Sequence, residues 1–228
     1  MNKMWCIPPK QNADFVAHME DVLEVYSRPY NEKRPVVCMD EKPYQLLDDE
    51  YGKIGLSKDN HVIKTDCKYA RKGSCSIFMF TEPLSGWREA VAMPQRRATD
   101  WAYRLEWLVD EKYPDVDKIV LVMDNLNTHS IASLYKTFEA EKAFRISQKL
   151  EIHYTPKHGS WLNIAEIELS ALTLQCLGDS RIPTIGLLNQ KLKAWSHNRN
   201  TLQRGVDWQF TTSDARIKLK HLYPNVIV

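Results

Sequence analysis

No stretch of this 228-residue sequence stays apolar for long. Crossing a bilayer takes roughly 18 apolar residues in a row, and no run approaches that, so no membrane span is expected. Mean hydropathy is −0.45. Met1-Asn2-Lys3-Met4-Trp5-Cys6 leads straight into Ile7-Pro8-Pro9-Lys10, without the apolar core of a secretory signal. A soluble, intracellular chain is the expectation. Cysteine is sparse as well: Cys6, Cys38, Cys67, Cys75 and Cys176 are odd in number, widely spaced and form no CxxC pair. That argues against a zinc knuckle or a redox dithiol. Cys38 and Cys176 sit in apolar runs and read as small core residues. An excess of one charge is missing too. With 31 Lys and Arg against 29 Asp and Glu, the net charge is +2, too even to mark a nucleic-acid binder by itself. There is no internal repeat and no low-complexity stretch.

What is present suits one packed domain, or one domain with appendages: 43% of the residues are hydrophobic. The basic residues gather in four places: Lys68, Arg71 and Lys72; Arg96 and Arg97; Lys191, Lys193, His197 and Arg199; Lys218, Lys220 and His221. Any one cluster reads as solvated surface. Four around an acidic site would form a phosphate-binding rim.

Pro8-Pro9 keeps residues 1–10 extended. Phe15, Met19, Val22, Leu23 and Tyr26 recur at helical spacing over 12–27, with Asn12 or Asp14 as cap. Val36-Val37-Cys38-Met39 reads as a buried strand, and 43–60 as irregular. Strands are predicted at about 66–71 and at 75–80, with Gly73-Ser74 as the hairpin turn between them, and again over 87–93. A helix follows from Thr99 or Asp100 to Pro114, then a strand at 119–123, one helix over 130–147 and a strand at 150–154. Helices are predicted at 161–177, 184–197 and 213–222. Three meandering strands followed by alternating helix and strand argue an α/β fold with a mixed sheet flanked by helices. That is the element order of a ribonuclease-H-like domain. Its bounds are put at 31–205, after an N-terminal linker and helix (1–30) and before a C-terminal extension with a short helix (206–228).

Two strands share a pattern. VVCMD at 36–40 and IVLVMD at 119–124 are apolar runs that end in aspartate. Ionising a carboxylate at the end of a buried strand is costly unless positive charge meets it. Strand ends are also rigid, as metal ligands must be. Magnesium takes hard oxygen ligands, often one or two carboxylates completed by water and phosphate. Either aspartate alone would pass for a turn or cap residue; the repeat of the pattern is what favours a site at Asp40 and Asp124. A third carboxylate is expected from Thr155-Pro156-Lys157-His158-Gly159-Ser160-Trp161-Leu162-Asn163-Ile164-Ala165-Glu166-Ile167-Glu168, where a strand gives way to a helix. Glu166 and Glu168 compete for the role. They lie about 200° apart on a helix, so both cannot easily face one site. Asn163 and Glu166 also resemble a capping box.

Met39-Asp40-Glu41-Lys42, Met123-Asp124-Asn125 with Thr128-His129, and Thr155-Pro156 with Trp161-Leu162-Asn163 and Glu166 resemble the DDE transposases of the mariner superfamily, most closely its bacterial insertion-sequence branch. Each motif is weak alone; the three in order are specific. The resemblance runs from about residue 4 to 200. It implies a ribonuclease-H-like fold, two Mg²⁺ or Mn²⁺ ions, cleavage of DNA at transposon ends and attack of the freed 3′-OH on target DNA. It also implies a homodimer and a cytoplasmic, nucleoid-associated place in a bacterium. Asp40, Asp124 and Glu166 take the positions of the catalytic and metal-binding triad, and the alignment favours Glu166 over Glu168.

Two departures stand out. The 41 residues between Asp124 and Glu166 exceed the spacing typical of the superfamily. The helix-turn-helix DNA reader that precedes the catalytic domain in relatives has no room in this chain, which reads as a catalytic domain alone or a remnant. Candidate DNA contacts are Arg71, Lys72, Arg96, Arg97, His129, His158 and Trp161. His129 reads equally as a positioner of metal or phosphate and as a local packing residue. Trp161 reads as a base-stacking platform or a core tryptophan. Another ribonuclease-H-like nuclease and a non-catalytic DNA-binding remnant stay open as alternative functions.

Overall fold

A computed structural model describes residues 7, 8, 10–50, 68–126 and 129–225. Helix α1 spans Ala13–Ser27, and the Asn12 side chain caps it by accepting from the Phe15 N–H. Among the described residues five strands follow in one sheet: β1 Val36–Asp49, β2 Tyr69–Glu82, β3 Trp87–Met93, β4 Ile119–Met123 and β5 Leu150–Tyr154. Their order is β3-β2-β1-β4-β5. The first three are antiparallel, and β1, β4 and β5 run parallel. The mixed sheet flanked by helices, expected from the element order, is the fold observed.

Both faces of the sheet are covered, and strand alternation decides which residue meets which layer. In β1, Cys38 joins one core, with α1, α5 (Ile164–Leu172), α6 (Ile185–Thr201) and α7 (Thr212–Lys218). Val37 and Met39 join the other, with α2 (Ala98–Trp107), α3 (Ile131–Thr137) and α4 (Ala140–Gln148). In β4, Val120 and Val122 face the first layer and Ile119, Leu121 and Met123 the second. The terminal helices α1 and α7 thus pack into the same core as α5.

Several elements depart from the pattern read in the sequence. Residues 43–49, expected to be irregular, are strand: β1 continues through Lys42-Pro43-Tyr44 to Asp49 and forms a ribbon with the first half of β2. Residues 51–67 lie outside the described residues, as do Cys6, Cys67 and Thr128. Gly73-Ser74 is no hairpin turn. The register steps from Leu46↔Gly73 to Leu47↔Arg71, so Lys72 is the extra residue of a bulge, and Gly73 carries its positive φ of 108°. The helix expected over 130–147 is two helices: Phe138 is extended (φ −121°, ψ 159°), and its ring meets Tyr103 edge-on. Cys38 is buried as expected, whereas Cys176 is half-buried at the edge of the core.

Candidate active site

Asp40 and Asp124 arise from neighbouring parallel strands. The last paired residues of β1 and β4 are Cys38 and Val122, and each aspartate stands two positions beyond. Two residues is one full pleat, so Asp40, still within β1, emerges on the face of Cys38; Asp124 lies one residue past β4, where its charge still reaches Asp40. Across the antiparallel pair, Asp40 lies opposite Met79, another residue of that face. This is the layer that contains α5.

Asn163 fixes the start of α5. Its side-chain oxygen accepts from the Ala165 N–H (3.1 Å), and its side-chain amide donates to the Met39 carbonyl (2.8 Å). One side chain therefore caps the helix and pins it to β1 beside Asp40. The Tyr26 hydroxyl adds a bond to the Leu162 carbonyl (2.7 Å). Glu166 follows in the first turn, where a helix N-terminus favours negative charge. Its backbone N–H bonds the Asn163 carbonyl; the cap itself is the work of the Asn163 side chain.

Glu168 goes elsewhere. It is 2% exposed and ion-paired with Arg88 (3.0 Å) and Arg199 (3.0 Å). Arg88, 1% exposed, also donates to the Arg199 and Arg204 carbonyls. Burial pulls the Arg88 pKa down, opposed by the charge of Glu168. The network ties β3, α5 and α6 together and commits Glu168 to it. An arginine in the alternating strand 87–93 was its only trace in the sequence.

Burial pushes the Asp40 carboxyl up to about 7, and the negative charges of Glu166, Asp124 and Glu41 push the same way. The Glu41 backbone N–H, 2.7 Å from Asp40 Oδ1, opposes them. Asp124 and Glu166 are thus near enough to act on Asp40, and no cation neutralises Asp40 among the described residues. Among those residues no three His, Cys, Asp or Glu side chains close into a group able to hold a metal ion unaided. The donor chemistry still fits a hard divalent cation. Hard oxygens lie beside uncompensated negative charge, and magnesium needs only one or two carboxylates before water and phosphate complete its shell.

His129 sits behind Asp124. Its Nδ1 is 2.7 Å from Asp124 Oδ1 and its Nε2 3.0 Å from Glu41 Oε1. Burial would lower its pKa, but the two carboxylates outweigh burial and raise it to about 9. His129 is 1% exposed and its ring stacks on Trp101 (5.8 Å between centroids). It is enclosed, away from any surface that DNA could touch. Glu41, missed in the sequence, faces the opposite side of the sheet from Asp40.

Trp161 is half-buried against the core, with Phe210 edge-on at 6.1 Å. His158 is exposed and holds a positive φ of 66°. Arg71 and Lys72 are exposed on the ribbon, where Lys72 pairs with Asp48 (3.4 Å). Arg96 and Arg97 are exposed just beyond Met93, which aligns through Ser76 with Pro43. Both basic pairs therefore leave the sheet on the ribbon side of Asp40.

Residues 35–189 match the DDE superfamily endonuclease family. Comparison with curated proteins gives no match. Among solved structures, the mariner Mos1 paired-end complex with Mg is similar at a TM-score of 0.60 and 15% identity, over 99% of this chain and 67% of that one. The Mos1 paired-end complex with Mn gives 0.58 at 15% identity, over 90% and 61%. The Mos1 strand transfer complex gives 0.55 at 14% identity, over 90% and 61%. The chain spans roughly six-tenths of the length of the first of these matched transposase chains. At such identities the likeness establishes the ribonuclease-H-like fold. The family match covers more than half of the sequence, and the chain belongs to the DDE superfamily endonuclease family.

Proposed function

We propose that this chain is the catalytic part of a DNA transposase of the bacterial insertion-sequence type. In this reading it cuts DNA at transposon ends and joins the freed 3′-OH to target DNA. The observation that carries it is the placement of Asp40 on β1 with Asp124 and Glu166 as acidic neighbours, the latter on a helix that Asn163 pins to β1. A divalent-metal site at which phosphoryl transfer occurs has this charge pattern. The Mg- and Mn-containing Mos1 complexes supply the analogy.

Asp40, Asp124 and Glu166 would hold two Mg²⁺ or Mn²⁺ ions, which supply charge neutralisation for the attacking and departing oxygens. The chain's own contribution is rigidity. β1 and β4 fix two carboxylates, and the doubly bonded Asn163 fixes the helix that carries the third. Arg71, Lys72, Arg96 and Arg97 are the candidate contacts to the DNA backbone, which carry affinity but not sequence. His158 and Trp161 border the same helix start. Working as a homodimer on paired ends, in the bacterial cytoplasm at the nucleoid, belongs to this reading, as do the domain bounds 31–205. No described helix is long and apolar enough to cross a membrane.

The test is nicking of duplex DNA in Mg²⁺ or Mn²⁺, followed by joining of a pre-cut 3′-OH end to a plasmid. Asp40→Asn, Asp124→Asn and Glu166→Gln should each abolish both. Cleavage of RNA–DNA hybrids without strand joining would mark another ribonuclease-H-like nuclease. The alternative is a remnant that binds DNA without cutting it; DNA binding without any Mn²⁺ uptake would establish that one.

A further inference from the structure

Asp124 stands past the last residue of β4, where no ladder holds it. Its Oδ1 meets His129, and among the described residues its Oδ2 takes no hydrogen bond. Four contacts fix His129. Its backbone N–H donates to the Leu126 carbonyl (2.9 Å), its own carbonyl accepts from the Tyr154 hydroxyl (2.9 Å), its ring stacks on Trp101, and Nε2 meets Glu41. The imidazole has little freedom to rotate. Glu41, in turn, is held by β1 opposite Phe78. Its side chain is 3% exposed, and its Oε2 is buried with no hydrogen-bond partner among the described residues.

Such a carboxylate is costly to keep. A buried polar atom without a partner destabilises the fold. The one hydrogen-bonded oxygen of Glu41 is spent on His129. We infer that Glu41 and His129 are positioning residues for Asp124: a carboxylate–imidazole–carboxylate relay that orients one oxygen of Asp124 and leaves the other for the proposed metal site. The relay joins the residue after Asp40 to the loop after Asp124, so Asp124 is tied by hydrogen bonds to β1, the strand that carries Asp40. Outer groups of this kind orient metal ligands, and their loss costs about 10–100-fold in metal affinity or activity. The inference rests on the metal-site reading above.

The experiment is Mn²⁺ binding by calorimetry on the unaltered chain and on His129→Ala, His129→Gln, Glu41→Ala and Glu41→Gln, with melting in metal-free buffer alongside. His129→Ala and Glu41→Ala should each weaken Mn²⁺ binding by about 10–100-fold. The double variant should be little worse than either one, as expected of residues that act as a unit. Glu41→Gln, whose amide oxygen accepts the same bond, should recover most of the affinity and so separate positioning from loss of fold. Variants that melt earlier yet bind Mn²⁺ like the unaltered chain would overturn the inference and leave the metal reading intact. No Mn²⁺ uptake by the unaltered chain would overturn both.

Discussion

Glu166 and Glu168 stand two residues apart on α5 and live in opposite electrostatic settings. Glu168 is enclosed with two guanidinium groups and three elements depend on it. Glu166 faces Asp40, whose carboxyl is pushed up by burial and by acidic neighbours that no described cation offsets. One acid is satisfied by the fold, and the other is part of a charge that the fold leaves open. That open charge is where the proposed metal site would place its cation. The largest expected effects follow from exchanging the two fates. Glu168→Ala should destabilise the chain by about 3–5 kcal/mol, because it strands the buried Arg88 charge. Glu166→Gln should leave stability within about 0.5 kcal/mol, as surface-like changes do, and abolish nicking. Urea denaturation and a nicking assay on both variants check this. The contrast breaks if Glu166→Gln unfolds the chain or if a folded Glu168→Gln is as inactive as Glu166→Gln.

Asn163 is where the two settings are kept apart, and its effect should come next. Replacing it with Ala removes a helix cap and the buried hydrogen bond to the Met39 carbonyl. A loss of about 2 kcal/mol is expected. Nicking should fall further than this stability loss explains, because Glu166 is then no longer pinned beside Asp40. Asn163→Ser restores the cap but not the bond to Met39. It should recover part of the stability and little of the activity, read by denaturation and by kcat against metal concentration.

The strand–aspartate units were legible because an apolar run that meets a charge is a local pattern. IVLVMD does end its strand before Asp124, whereas β1 runs on past Asp40 and only its apolar run stops there; the parallel register then sets Asp40 beside Asp124. The choice of Glu166 over Glu168 was not local. Helix geometry allows only one of them to face the site; which one depends on Arg88 and Arg199, 80 residues upstream and 31 downstream of Glu168. Glu41 was hidden for the same reason, since its partner is His129, 88 residues away. The ribbon of β1 and β2 differs from the pattern read in the sequence because Asp48-Asp49 and Gly73 are turn residues by type. In the ribbon, solvent exposure removes the need for apolar alternation, and Gly73 serves a bulge. Phe138 ends α3 through its contact with Tyr103, which no periodicity within 130–147 reveals.

The smallest expected effect concerns a third acid, Glu151 on β5, which extends the contrast to the surface. Burial would raise its pKa, but hydrogen bonds from Arg28, His153 and Arg34 outweigh burial and lower it to about 2. Arg28 Nη1 is 2.7 Å away, and Arg34 pairs with the other oxygen. The ordinary value is 4.5, so the folded form holds the ionised state more firmly than the unfolded form. The stability this contributes is fully present above pH 4.5 and is lost as pH falls through about 2. Solvent screening keeps it to about 1 kcal/mol. Glu151→Gln should therefore cost about 1 kcal/mol at pH 7, less at pH 4 and almost nothing near pH 2, in urea titrations at the three values. Asp40 has the opposite sign: its folded pKa is raised, so ionising it costs stability as pH rises, whereas ionising Glu151 adds stability. A Glu151→Gln penalty that stays constant with pH would mean that the arginines contribute packing rather than charge, and the contrast between satisfied and open acids would then rest on α5 alone.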